Sequence, residues 1–240
     1  MHDQQHGTGR SALRTLTLAL LLIAPPAHAA TRGFTITSFD AIRADAPVTI
    51  VVTTGSGASA RAEGDQAALD RLKVDVSGRL LIVTMARPRS GERSGGAATL
   101  RLSTGMVERI MLTGGGSVTV DRMKGLQGQI MLGGNGDVHV TDVALDRLDA
   151  TLSGGGRMTL AGRAGVANIR VNGPGAIAAE GLRARQASIS NDGPGSVALT
   201  GEVSARIVAT GSGDVAVNGK PACMIDNRGT GRISCGGESY

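Results

Sequence analysis

Aromatic residues are almost missing from this chain: among 240 residues there is no Trp, one Tyr (Tyr240) and two Phe (Phe34, Phe39). A compact core usually draws its largest buried areas from aromatic rings. Any interior here must instead be assembled from Val, Ile, Leu, Met and Ala in many small increments, which favours a stacked architecture over a compact α/β globule. Histidine is scarce too. His2, His6 and His28 lie in the segment 1–29, and the remaining His139 cannot make a multi-histidine metal centre. The N-terminal apolar run at 16–23 (LTLALLLI) is far shorter than the roughly 20 residues of a membrane-spanning helix. The formal charge is +5, but the basic residues are scattered and no stacking aromatics accompany them, which excludes a nucleic-acid partner.

The N-terminal segment 1–29 reads as an address. Arg10 and Arg14 precede the apolar run, Pro25 and Pro26 break it, and Ala27-His28-Ala29 supplies an A-x-A cleavage site. This is the pattern of a secretory signal peptide. Removing it takes away two Arg and one Asp, leaves a formal charge of +4 and leaves no transmembrane segment. The chain is expected to be exported, to the periplasm or cell surface of a Gram-negative bacterium.

Glycine is what the chain has in excess, 37 residues, and the second half repeats it with a period. Seven G-x-G turns occur, at Gly114 and Gly116, Gly134 and Gly136, Gly154 and Gly156, Gly173 and Gly175, Gly193 and Gly195, Gly211 and Gly213, and Gly229 and Gly231. Successive turns are 18–20 residues apart. Six residues before the second glycine stand Ile110, Ile130, Ala150, Ile169, Ile189, Ile207 and Ile225. Two after it come Val118, Val138, Met158, Ile177, Val197, Val215 and Ile233, and four after it Val120, Val140, Leu160, Ala179, Leu199, Val217 and Cys235. All three columns are apolar, and the positions between them are mixed or polar, the alternation of a strand with one buried face. Each unit reads as strand, tight Gly corner, strand, then a return loop carrying a further apolar residue such as Met123, Val143, Leu182 or Val203. Units this short bury nothing alone, and stacking turns each column into an interior ladder. The fold expected is all-β, a right-handed parallel β-helix with about 18–20 residues per coil; crossover sterics set the hand. Corner glycines suit a sharp turn, one that could take positive φ.

Residues 107–240 form the regular coils and a C-terminal cap in this reading, and 30–106 the N-terminal cap and opening coils. Strands are expected at 48–52 and 80–83, a short helical turn at 65–72, and a polar loop at 86–97 whose basic stretch 87–93 is a solvated connection.

The apolar-x-apolar and G-x-G pattern resembles the head GIN domain of auto-transporter adhesins. So do Phe39-Asp40-Ala41-Ile42, Gly64-Asp65, Leu69-Asp70-Arg71-Leu72 and Gly78-Arg79-Leu80. The resemblance covers about residues 34–235 and implies a right-handed parallel β-helix outside the cytoplasm with an adhesin-like role. The chain departs from the family's name in offering no outer-membrane barrel of its own.

The Gly turns precede strands and lack a following Lys-Ser/Thr and helix, so they are corners and not phosphate loops. Gly133-Gly134-Asn135-Gly136-Asp137 departs from the nine-residue calcium repeat in spacing, and only Asp137 and Asp214 share its acidic column. No cofactor or metal set is expected. Stacking in register would pair Asp137 with Arg157 and Asp214 with Arg232, exposed ion pairs worth about 0–1 kcal/mol each, so that exchanging Asp214 and Arg232 would be nearly neutral. Cys223 and Cys235, the only cysteines, are expected to form a disulfide in an oxidising compartment. Ala178, Ala198 and Ala216 form a flat small-residue face on which copies could associate. The function expected is a non-catalytic exported cell-envelope module, an adhesin-like or scaffold domain binding an envelope polymer or protein. The alternative is a β-helix enzyme acting on an acidic polysaccharide, which would need charged residues clustered on neighbouring rungs.

Overall fold

The computed structural model describes residues 30–88 and 96–240. Residues 1–29, read above as a signal peptide, and most of the basic 87–93 stretch lie outside the described residues. A single 17-stranded sheet runs through the described chain and winds as a β-solenoid of about six turns.

The N-terminal part carries β1 (Ala30–Phe34), β2 (Ala41–Ala44), β3 (Thr49–Thr54), β4 (Ser59–Gly64), α1 (Gln66–Arg71), β5 (Leu72–Ser77), β6 (Leu80–Met85) and β7 (Ala98–Thr104). The regular part follows with β8 (Arg109–Leu112), β9 (Ser117–Leu132), β10 (Asp137–Leu152), β11 (Arg157–Val171), β12 (Ala176–Asn191) and β13 (Ser196–Ala209). It ends with β14 (Val215–Gly219), β15 (Ala222–Asn227), β16 (Ile233–Cys235) and β17 (Glu238–Ser239).

The expected ladders are present. Ile110, Ile130, Ala150, Ile169, Ile189, Ile207 and Ile225 are successive parallel register partners. The ladder extends N-terminally through Ile42 to Leu81. Its members are buried as far as Ile207, and Ile225 in the last coil is half-buried. A further column, four residues before the second glycine, escaped the sequence reading: Leu112, Leu132, Leu152, Val171, Asn191, Ala209 and Asn227. It is apolar until Asn191 interrupts it. The two asparagines hide the ladder from a hydropathy pattern, although the first six members are all buried.

The return segment is not a loop. Pairing of β9 with β10 runs through the whole coil in three stretches, broken only at Asp121/Thr141 and Leu126/Asp146. These breaks and the Gly corner divide each coil into three sides, at 117–120, 122–125 and 127–132 in β9. Met123, Val143 and Leu182 point inward and are buried, which is why the return pairs as strand. Val203 does not follow them: it is 54% exposed. Coil length explains the difference. Between β12 and β13 the second side contracts, with register shifts at Ala179/Arg183 and Ala184/Gln186, and Val203 is carried onto the outer corner.

The corner glycines owe their presence to the rung beneath them, not to handedness. None of the fourteen has positive φ; the glycines that do, Gly125 and Gly162 among them, lie elsewhere. A Cβ on Gly136, Gly156, Gly175, Gly213 or Gly231 would lie under 3.0 Å from the carbonyl oxygen of the equivalent glycine one coil below. Nothing lies within 4 Å of a Cβ on Gly115, the middle corner residue of the first turn. That middle place accordingly takes Asn135, Pro174, Pro194, Ser212 or Thr230 in later turns.

Spatial order and chain order differ at the N-terminal end. The β2–β3 rung lies between two others: β2 pairs in parallel with both β6 and β8, and β3 with both β7 and β9. Beyond β6 and β7 the sheet turns antiparallel, through β5 on one side and through β4 and β1 on the other. The helix, capped by the Asp65 side chain on the N–H groups of Ala67 and Ala68, packs on β1 and β4.

At the other end, Cys223 on the third side and Cys235 on the first are joined by a disulfide. It ties together the third and first sides of the last described coil. Closing this 12-residue separation constrains the unfolded chain. Replacing both cysteines by Ser is expected to lower stability by about 3 kcal/mol, read as a shift in the denaturant midpoint against the oxidised parent.

Candidate functional site

The solenoid presents three outer sides, and they are chemically unequal. The first carries Thr119, His139, Thr159, Ala178, Ala198, Ala216 and Ser234 as register partners pointing outward. His139 is exposed between the two threonines, and the alanines form a half-buried flat strip. Near the C-terminus the strip becomes a shallow groove of about 420 Å³ bordered by Tyr240, Asp214 and Arg232.

Both foreseen aspartate–arginine positions are register partners or stacked neighbours, yet only one forms an ion pair. Asp137 stands opposite Arg157, but the ion pairs among the described residues do not include them. Asp214 meets the Arg232 guanidinium at 2.9 Å. Its Oδ1 also accepts the backbone N–H of Arg232 at 2.9 Å. That backbone bond, ahead of the guanidinium contact, holds the Asp214 carboxyl below its usual value of 3.8. This bond was not part of the near-neutral expectation, and exchanging the two residues is now expected to lower stability, because Arg at 214 cannot accept from the backbone. The carboxylate contributes above its unfolded pKa, and the contribution disappears as pH falls through the lowered folded value. In thermal melts at pH 7, Asp214→Asn, which keeps a backbone acceptor but loses the ion pair, should melt slightly below the parent, and the exchanged double variant lower still. The parent should approach Asp214→Asn only as pH falls through that lowered value.

The two aspartates at the corner column, Asp137 and Asp214, stand four coils apart and cannot share an ion.

The third side divides along its length. Toward the N-terminus, Asp40, Glu108, Arg109, Gln127, Gln129 and Asp149 line a polar groove of about 390 Å³. The sequence repeat did not bring these acids together, because Asp40 comes from the displaced β2 rung and Glu108 from the connection that returns to it. Two of the three carboxylates are already engaged: Asp40 with Arg79 at 2.5 Å, and Asp149 with the Asn168 amide at 2.8 Å.

Toward the C-terminus the same side is apolar. A channel of about 420 Å³ runs across the strands, floored by Ala187, Ala205 and Cys223. Gln186, Ser204 and Ala222 wall it on one edge, and Ser188, Arg206 and Met224 on the other. A smaller crevice of about 190 Å³ continues round the corner past Gly165, Arg185 and Val203. Five large hydrophobic residues are exposed among the described residues: Leu126, Met131, Val203, Met224 and Tyr240. The first four all lie on the third side or at the corner leading into it. Sequence alternation marks which residues point outward, but their collection on one side depends on the register, including the contraction that exposes Val203.

A family model described as "Putative auto-transporter adhesin, head GIN domain" matches residues 38–221. No curated protein matches the chain. Among solved structures, a putative adhesin from Bacteroides fragilis is similar with a TM-score of 0.76 at 20% identity, over 87% of this chain and 97% of that one. A putative lipid binding protein from Parabacteroides distasonis gives 0.67 at 18% identity, over 87% and 96%. A putative adhesin from Parabacteroides merdae gives 0.65 at 17%, again over 87% and 96%.

Proposed function

The chain belongs to the head GIN domain family, and from that membership we propose that it is an exported, non-catalytic cell-envelope module that binds an envelope component through the third side of its solenoid. The observation that carries this reading is the exposure of Val203 and Met224 on the adjacent β13 and β15 rungs of that side and its corner, beside the channel floored by Ala187, Ala205 and Cys223. Isolated exposed apolar residues are ordinary, whereas a collection on one face marks an interaction surface. Export is supported by the leader-like pattern of residues 1–29 and by the disulfide between Cys223 and Cys235.

The polar groove around Glu108 supports a competing enzymatic reading, acid–base cleavage of an acidic polysaccharide. Its geometry counts against it: Asp40 and Asp149 are held by Arg79 and Asn168, which leaves Glu108 as the one carboxylate of the groove not so engaged among the described residues.

The test is retention of labelled residues 30–240, the span carrying the whole sheet, on isolated envelopes. Saturable retention that falls in Val203→Asp/Met224→Asp and persists in Ala198→Asp supports the third side. Equal retention of all three proteins overturns it. Release of reducing ends from polyuronate, abolished by Glu108→Gln, would establish the enzyme instead.

A further inference from the structure

We propose that the C-terminal half of the third side docks on an anionic lipid surface, with Val203 and Met224 entering the interface and Arg185 and Arg206 meeting the lipid headgroups; this rests on the envelope-binding reading above and names its partner.

The argument starts from the channel. Its floor is made of small residues belonging to the inward column, Ala187, Ala205 and Cys223, so the backbone is approached closely from outside. Its walls end in exposed apolar tips: Met224 is 61% exposed, and Val203, on the crevice round the corner, is 54% exposed. Buried residues elsewhere in the rod are aliphatic and inward; here aliphatic side chains turn to solvent at successive rungs.

Charge then decides between apolar partners. The residues lining the channel and the crevice include two arginines and no carboxylate. Neither Arg185 nor Arg206 enters an ion pair among the described residues. The Arg206 guanidinium lies 3.2 Å from the Met224 sulfur, so a cation and an apolar tip are presented side by side. Apolar side chains flanked by unpaired cations on one face are the composition of interfacial membrane anchors, in which the stem stays in the acyl boundary and the charged head reaches the phosphates. An apolar protein groove would be complemented equally well without the arginines; an anionic lipid surface uses both features at once.

Rigidity is supplied from beneath. Cys223, in the channel floor, is bonded to Cys235 across the terminal coil, so the docking edge is anchored at its least supported end.

The experiment is co-sedimentation of residues 30–240 with phosphatidylcholine vesicles, with and without about 30 mol % phosphatidylglycerol. The expected result is partition onto the anionic vesicles that weakens as salt rises and is much lower on the neutral ones. Arg185→Glu/Arg206→Glu and Val203→Asp/Met224→Asp should each lower the partition at least about tenfold, while Ala198→Asp on the first side leaves it unchanged. Thermal melts within a few degrees of the parent establish that each variant is folded. Absence of vesicle binding by a parent that is retained on envelopes overturns the lipid partner and leaves the broader reading standing. Absence of retention on envelopes removes both. Vesicle binding that is indifferent to these four residues, or lost equally in Ala198→Asp, overturns the assignment of this face.

Discussion

Gly156→Ala is expected to cost at least about 3 kcal/mol of stability, and Gly115→Ala to leave stability unchanged or raise it by about 0.5 kcal/mol. Both glycines belong to corner turns and neither has positive φ. The difference is the space that a methyl group would meet. On Gly156 it would fall under 3.0 Å from the Gly136 carbonyl oxygen, with Leu132 Cδ2 close behind. Stacked backbone sets the spacing of the rungs, because Arg157 donates to Gly136 at 3.1 Å and Gly156 to Gly134 at 3.2 Å. The nearest obstruction is thus the backbone of the rung below, and relief requires opening the ladder. At Gly115 a methyl meets nothing within 4 Å, and the loss of unfolded-chain freedom then works in favour of the substitution. Chemical denaturation of the two variants side by side provides the check. Equal stability of both would mean that the coils are not stacked at the corners as described.

Asn191→Val should destabilise by about 1–3 kcal/mol, although it replaces a buried amide by the hydrophobic residue found at the equivalent place one coil earlier, Val171. The reason lies in a change of backbone bonding. Down the rod, the residue after each corner donates to the corner carbonyl below: Asp137 to Gly116, Arg157 to Gly136, Ala176 to Gly156 and Ser196 to Gly175. At Gly195 this series stops: the next residue of the column, Asp214, makes no such bond to it. The Asn191 side chain, fully buried, takes over, with Nδ2 donating to Gly195 O at 2.8 Å and Gly213 O at 3.1 Å. Valine would leave those two carbonyls without this donor. The buried Oδ1 of Asn191 has no partner, so its removal offsets part of the cost. Asn191→Asp should be worse, by about 3–5 kcal/mol, since it directs a buried carboxylate at carbonyl oxygens. A valine variant more stable than the parent would show that the amide is no substitute for the interrupted series.

These two positions also mark what could and could not be read from the chain. The Ile130, Ile169 and Ile207 ladder was legible because each side of a strand repeats its chemistry once per coil, and the spacing of glycines fixed the origin. Glycine itself was legible as a corner, but its cause was not: the obstruction comes from the rung one full coil earlier, and a sequence does not display carbonyl positions. The column containing Leu132, Leu152 and Val171 was obscured by Asn191 and Asn227; Asn227 is exposed, whereas Asn191 is buried and looks exposed only until the missing backbone donors are known. Val203 misled in the opposite direction, an apolar residue at the expected spacing that a contraction of the coil moves to the surface. Of the acids of the polar groove, Glu108 and Asp149 occupy different repeat positions, and Asp40 lies outside the G-x-G repeat, where the displaced β2 rung stacks it beside Glu108.

That displaced rung has a consequence for the architecture as a modular object. Residues 41–54 are enclosed between strands contributed by 80–104 and 109–120, so the N-terminal assembly is one interlocked clasp that cannot lose a storey. The β10 and β11 coils, in contrast, each bond only to the coil above and the coil below. Copy number can therefore drift in the middle of the rod, lengthening or shortening the molecule one storey at a time, while the clasp forbids growth at its own end. Length becomes a variable that evolution can tune without redesigning either terminus.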